Sequence, residues 1–564
     1  MTKLSMLIYM LGGLTGYASS SGAETVAGKQ IFRERCVLCH SAEADDNGGA
    51  QGPSLAGVMG RSAGSAPNFA YSVALRNSKL TWDPPTLKRF LAAPGTAVPG
   101  TTMAVAVPNG AERDSLIAYF QSLGKLQSAA SSAASGVPSS SVASANWRLD
   151  KPGALHHISA ASLAPPFATP SARNETSVVS KPAQAKLSVP PGFRVDSFAT
   201  GLTGPRKMLQ TPNGDIFVTE MSGGRVTVLH PSADGSHAGA ADVFAADLKQ
   251  PFGIAFYPST EHPHWLYVAE INRVVRFAFQ AGDVHARGAA QVVVPQLPPG
   301  GHATRDIAFS ADGTRLFVSV GSGSNVAERM SKKTPEQVKA WEAEHGLGAA
   351  WDDEVNRAAV LEFDAASPGA PRNFATGIRN CVSLTLQPAN GALWCTTNER
   401  DGRGDDLVPD YSTRIKRGSF FGWPWYYIGS NEDPRYGGHR PDLKDKVSVP
   451  DVLYQAHSAS LSMTFYTANS GRSAFPADYV GDAIVGFHGS WNRSLRTGYK
   501  LVRVHMRHGE PVGDYEDFLT GFIVDDSSVW GRPVATLQLA DGSLLMSEDG
   551  NNVIYRISYS TPVP

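Results

Sequence analysis

The chain has 564 residues, enough for two to four domains, and its 42% apolar content is ordinary for globular cores. A formal net charge of -1 argues against a nucleic-acid or other polyanion partner. Four cysteines in this length exclude a disulfide scaffold.

The N-terminus carries Lys3, the apolar run "MLIYMLGGLTGYA" and the small residues "SSSGA". This is the pattern of a signal peptide over 1–23, with cleavage after Ala18 or Ala23. The run is too short for a spanning helix, which needs about 20 apolar residues. Export to the periplasm is expected, with no stable membrane span.

Next comes "RCVLCHSA", with Cys36, Cys39 and His40 in the spacing of a c-type haem attachment. The two thiolates would form thioethers to the macrocycle, and His40 would supply the proximal nitrogen to iron. Met103 in "PGTTMAVAV" is the candidate for the opposite axial position; a Met/His pair raises the potential, as suits electron transfer. Met59 adjoins Gly60 and lies too near the attachment site. A lone Met is otherwise core filler. The stretch from "GPSLAGVMGRSAG" to "VPGTTM" resembles class I, mitochondrial-type cytochrome c, and that resemblance selects Met103 as ligand. It also implies an all-α domain over 24–127, with Arg61, Tyr71 and Trp82 around the haem propionates and Pro53 behind His40.

Residues 128–187 begin with "SAASSAASGVPSSSVASA", a flexible Ser/Ala linker, and continue as a Pro-punctuated lead-in. From 188 to 564 one pattern recurs six times: an apolar-alternating run, a turn, and a second short strand ending in polar groups. "RKMLQTPNGDIFVTE" and "RDIAFSADGTRLFVSVGS" are two of the copies. Asn213-Gly214, Asp312-Gly313, Asn390-Gly391 and Asp541-Gly542 supply hairpin turns. Six copies predict an all-β six-bladed propeller. Their polar ends are Glu220, Glu270, Ser322, Asn398 with Glu399, His488, and Glu548 with Asp549; these would converge on one axial face and make a cofactor or metal site there.

The motifs "GGHATRDIAF", "GIRNCVSL", "NERDGRGDDLVPDY", "GWPWYYIG", "HGSWNRSLRTGYK" and "WGRPVATLQL" resemble the L-sorbosone dehydrogenase family, and more distantly the soluble glucose dehydrogenases that use pyrroloquinoline quinone (PQQ). The resemblance implies haem c, PQQ and Ca²⁺ as cofactors. His302 would be the general base. Arg379 would polarise the quinone carbonyl as hydride arrives, beside Asn380. Gln250, Arg493 and Arg532 would be further PQQ ligands, Arg493 standing where the glucose enzymes have a lysine. The backbone carbonyls of Asp401 and Gly402 would hold calcium. Cys381 and Cys395 flank one hairpin out of cross-strand register and are expected as free thiols.

These residues together imply a periplasmic quinohaemoprotein that oxidises a sugar or sugar-derived aldehyde or alcohol. Electrons would pass through its own haem to an external cytochrome, oxidase or quinone. Two other classes stand beside this one. A calcium-dependent lactonase-like propeller hydrolase with a passenger cytochrome would turn over without an electron acceptor. A non-catalytic electron-transfer protein would not bind PQQ.

Overall fold

The computed structural model describes residues 20–36, 40, 42, 52–66, 71–103, 105–124 and 146–560. Most of the expected signal peptide, Cys39 and the Ser/Ala run lie outside them. The described residues form two compact units.

The N-terminal unit is helical, with its main helices at Ser20–Arg35, Pro84–Ala92 and Gly110–Gly124. Asp83 caps the second of these, its carboxylate accepting from the Thr86 N–H at 2.8 Å, and Pro84 occupies the first turn, where no N–H is needed. The first and last helices pack together through Phe32, which meets Tyr119 and Phe120 at ring-centre distances of 5.6 and 6.2 Å. Phe32 and Phe120 are fully buried, so this aromatic contact anchors the fold of the unit.

The larger unit is a six-bladed propeller. All six recurring hairpins are the first two strands of a blade, beginning at Pro205, Ile254, Ile307, Cys381, Ser460 and Pro533. These first strands neighbour one another in a closed ring around the axis. Gly313 has a φ of +68° in its hairpin, a conformation that the Asp-Gly pair supplies at low cost. The last blade is completed by Phe193–Ala199, which precedes the first blade and pairs with Val553–Tyr559 (Val195 opposite Ile557). The ring is therefore closed by joining the two ends of the domain.

Strand alternation sends successive side chains to opposite faces, and here both faces are buried. Phe217 packs with Phe256 and Val268 of the second blade, whereas its neighbours Ile216 and Val218 pack with Leu545 and Ile554 of the sixth. The same arrangement places an apolar cluster between each pair of blades.

The lead-in from 146 wraps on the propeller. Leu155–His157 extends the fifth blade beside Glu510–Leu519, and Ser177–Val178 pairs with Ser528–Val529. Lys500, 1% exposed, donates to Asp150 of the lead-in at 3.0 Å and to Asp517 at 2.7 Å. A buried ammonium needs such partners, so this pair fixes where the lead-in sits.

One expectation fails here. Cys381 and Cys395 form a disulfide, with Cα atoms 5.8 Å apart. A bulge between Cys381 and Ser383 shifts the ladder, so that Cys381 stands opposite Thr397, two positions from Cys395 and on the same face of the hairpin. A count without the bulge leaves the two sulfurs out of register.

Candidate active site and haem-binding residues

In the haem-motif region, Cys36 ends the first helix, buried, its N–H bonded to the Phe32 carbonyl at 2.9 Å. His40 Nδ1 lies 2.9 Å from the Pro53 carbonyl, which can only accept. The proton is therefore on Nδ1, and Nε2 presents its lone pair. Gly52 lies against this imidazole, where any Cβ would strike the ring. A histidine whose Nδ1 is oriented by a carbonyl fits haem iron, which Nε2 would bind. Met103 is half-buried, its N–H 3.4 Å from Thr101 Oγ1. Arg61 donates to the Ala56 carbonyl at 3.3 Å and shares backbone hydrogen bonding with Trp82, while Tyr71 Oη accepts from the Ala66 N–H at 3.2 Å.

In the propeller, the start of each first strand and the end of each second strand lie at the same end of the blade. That end collects His302 and Ser322, Arg379 and Asn380, Asn398 and Glu399, His488, Arg532 and Asp549. His302 is half-buried and its Nδ1 donates to the Ser322 carbonyl at 2.9 Å, leaving Nε2 as an acceptor. Burial, and then the nearby Arg379 charge, hold this imidazole well below the ordinary histidine range, so it is neutral at pH 7. Gly321 lies between His302 and Asn380; a Cβ there would strike both side chains. Asn380 is 6% exposed and its Oδ1 has no hydrogen-bond partner.

Arg379 is buried behind this pair. Its Nε donates to the Asn325 carbonyl at 3.2 Å, and Nη2 to Asn325 Oδ1 at 3.0 Å and Asp401 Oδ2 at 3.2 Å. Nη1 takes the Glu399 carbonyl at 2.7 Å and the Asn398 carbonyl at a long 3.4 Å. The last of these is the weak contact, and the N–H that is easiest to release.

A second cluster joins the fifth, sixth and first blades. Arg532 Nη2 lies 2.9 Å from His488 Nδ1, His488 Nε2 is 2.8 Å from Asp549 Oδ1, and Arg206 pairs with Asp549 Oδ2 at 2.8 Å. Burial and then Arg532 draw His488 down to about 4, so the cluster holds two guanidinium groups against one carboxylate. Both Nε atoms are buried without partners. Two forks with spare donors fit a ligand bearing carboxylates.

The other expected residues are placed differently. Gln250 is exposed in the loop before the second blade, bordering an open groove with Met221, Ser222 and Lys249. Arg493 is drawn into an ion pair with Asp406 and also donates to the Asp405 carbonyl. The Asp401 carbonyl accepts from the Asn325 amide at 3.1 Å and the Gly402 carbonyl from the Arg403 guanidinium at 3.2 Å. A cation already occupies the Gly402 oxygen, and the Asp401 carboxylate is committed to Arg379 and Asn492. This donor set does not fit calcium.

Sequence reasoning passed over Arg206 and Asn325. Arg206 was detectable by repeat alignment: "GPRKM" opens the first blade as "WGRPV" opens the sixth. Asn325 lies in a loop without periodicity and gave no such signal.

Fold and sequence define a six-bladed propeller carrying an N-terminal cytochrome c unit. The chain belongs to the TrAA12-like family, whose model matches residues 187–409 and 442–560; the cytochrome c model matches 25–124. The N-terminal segment is 47% identical over 95 residues to cytochrome c2 of Rhodoblastus acidophilus, covering 17% of this chain and 87% of the relative. The propeller is similar in fold to the holo PQQ domain of pyranose dehydrogenase from Coprinopsis cinerea. That match has a TM-score of 0.54 at 21% identity and covers 67% of this chain and 100% of the other. A Trichoderma reesei carbohydrate-active enzyme of family AA12, solved with calcium, gives a TM-score of 0.53 at 20% identity, over 69% and 99% of the two chains. Among the described residues, no helix is long and apolar enough to cross a membrane.

Proposed function

We propose that this chain is a periplasmic quinohaemoprotein oxidoreductase. It oxidises a sugar or sugar-derived aldehyde or alcohol, of the sorbosone or aldose kind, with PQQ, and passes electrons through its own haem c to an external cytochrome, oxidase or quinone. The observation that carries this reading is the unsatisfied, buried Asn380 Oδ1 beside a neutral His302, with the Arg379 charge behind them. An unmet polar atom in such a setting costs about 1–3 kcal/mol, which a bound hydrogen-bond donor would recover.

His302, Arg379 and Asn380 would face the reacting end of the cofactor, and Arg532 with Arg206 its carboxylates; Gln250 and Arg493 are the outlying members of the ligand set. When bound, PQQ supplies a two-electron acceptor. His302 Nε2 takes the proton of the substrate hydroxyl, because Nδ1 is held by Ser322 and the ring is uncharged. Arg379 offers positive charge where negative charge develops, and its long Asn398 contact is the one to exchange. Asn380 orients the bound groups through its free amide oxygen. No step here runs through calcium.

The test is reconstitution of the full chain with PQQ, followed by dye reduction against a panel of neutral aldoses and aldehydes. Saturable quinone binding with substrate-dependent dye reduction is expected. A chain that retains no PQQ after gel filtration, and reduces no dye, would overturn the proposal.

A further inference from the structure

Two long insertions leave the blade pattern and build a groove of their own. Residues 321–358 lie between the second and third strands of the third blade, and 416–451 between the third and fourth strands of the fourth. The first contains the helix Pro335–His345, capped by Thr334 and Gln337. Between the insertions is a groove of 940 Å³, at the upper end of the roughly 300–1,000 Å³ typical of small-ligand sites.

Its floor is aromatic: the half-buried Tyr436 lines it, over Trp351 and Trp425, which are only 4% and 3% exposed. The indole N–H groups are tied to the backbone, Trp351 to Ser331 at 2.8 Å and Trp425 to Gly348 at 3.0 Å, so the small part of each ring that reaches the groove is carbon. Its rim is cationic, with Lys332, Lys333, Lys339 and Lys446. The lining also holds Glu342 and Asp442, and both are engaged by Arg440 at 2.8 Å. After Arg440, Lys446 also acts on the Asp442 carboxyl and helps to hold it below the ordinary carboxylate range, so Lys332, Lys333 and Lys339 carry the uncompensated charge of the rim. Lys333 is held over the rings of Trp341 and Trp351, at 5.4 and 5.6 Å from their centres. Arg440 lines the groove at 7% exposure, and its Nη1 is buried with no partner.

The groove adjoins the candidate active site through the backbone. Tyr436 Oη lies 2.9 and 2.6 Å from the carbonyls of Val326 and Ala327. The residue before them, Asn325, holds Arg379. Tyr436 is thus linked to Arg379 through the backbone of residues 325–327.

We infer that this groove binds a carboxylated oligosaccharide, its sugar rings against the aromatic floor and its carboxylates on the lysine rim. The inference rests on the sugar oxidation proposed above and extends its substrate class to acidic saccharides. A concave site with an aromatic lining suits a ring-bearing ligand, and a rim on which Lys332, Lys333 and Lys339 are uncompensated selects for negative charge.

Calorimetry on the PQQ-reconstituted full chain tests it, with trigalacturonic acid and its methyl ester as ligands. The ester keeps the rings and removes the charge. The acid is expected to bind at least about ten-fold more tightly than the ester and to weaken as salt is raised. The variant K332Q/K339Q/K446Q alters only exposed side chains. It should lose about ten-fold or more in affinity for the acid, while oxidation of neutral monosaccharides is unchanged. Equal binding of acid and ester, or full affinity in the triple variant, would overturn the inference and leave sugar oxidation standing. So would lysine labelling that an acidic redox protein suppresses and trigalacturonate does not. If trigalacturonate binds as expected but no sugar is oxidised, the proposed function falls and the groove remains a saccharide site.

Discussion

His302 Nδ1 donates to the Ser322 carbonyl at 2.9 Å, joining the loop that opens the third blade's first strand to the loop that follows its second. That single bond fixes the tautomer and leaves Nε2 as the proton acceptor. His302→Ala should retain PQQ and lose about 10²–10⁴-fold in kcat, measured by dye reduction under saturating substrate. Near-normal turnover would transfer the base role elsewhere, with His488 the next residue to test.

Two histidines should contribute opposite pH dependences to stability, one on each side of pH 6.5. His488 falls to about 4 in the folded chain, so between 6.5 and 4 the unfolded state binds the extra proton and stability is lost as pH falls. His505, paired with Asp482 at 3.4 Å and Glu516 at 3.7 Å, is raised to about 9. Its contribution is complete below 6.5 and is lost as pH rises through 9. Thermal melts from pH 4 to 9 check both limbs. His505→Gln should flatten the alkaline limb and leave the acid limb in place.

The Cys381–Cys395 bond closes a short loop, the two residues being 14 apart. A crosslink of that span is worth about 3 kcal/mol through the unfolded chain. The double variant Cys381→Ser/Cys395→Ser should therefore unfold about 2–4 kcal/mol more easily in urea. Because Cys381 follows Asn380 directly, PQQ affinity should fall as well. Unchanged affinity would separate the disulfide from the site.

The architecture was legible because its signal is local. Each inner hairpin shows period-two hydrophobicity, in four of the six with an Asn-Gly or Asp-Gly turn, and this repeat set the blade count. The closing strand Phe193–Ala199 was not legible as the sixth blade's edge, since its partner lies more than 350 residues away. The disulfide was missed for a related reason: a one-residue bulge changes register without changing composition. At the site, His302, Arg379 and Asn380 stood in motifs that repeat at blade ends. Arg493 stood in such a motif too, yet Asp406 captures it, and that pairing depends on how two distant loops meet.

Met103 is expected as the second axial ligand opposite His40. Met103→Ala should abolish the weak methionine-to-iron band at the red edge of the visible spectrum while haem stays covalently attached. Persistence of the band would assign the position to another residue.

The central claim is that sugar electrons reach this chain's own haem by way of the propeller. Stopped-flow absorbance of the full chain, oxidised and reconstituted with PQQ, measures this at the reduced haem band. Addition of substrate should reduce the haem in a first-order phase whose rate does not depend on protein concentration, and no reduction should occur without PQQ. Haem that stays oxidised while PQQ-dependent dye reduction proceeds would contradict the account.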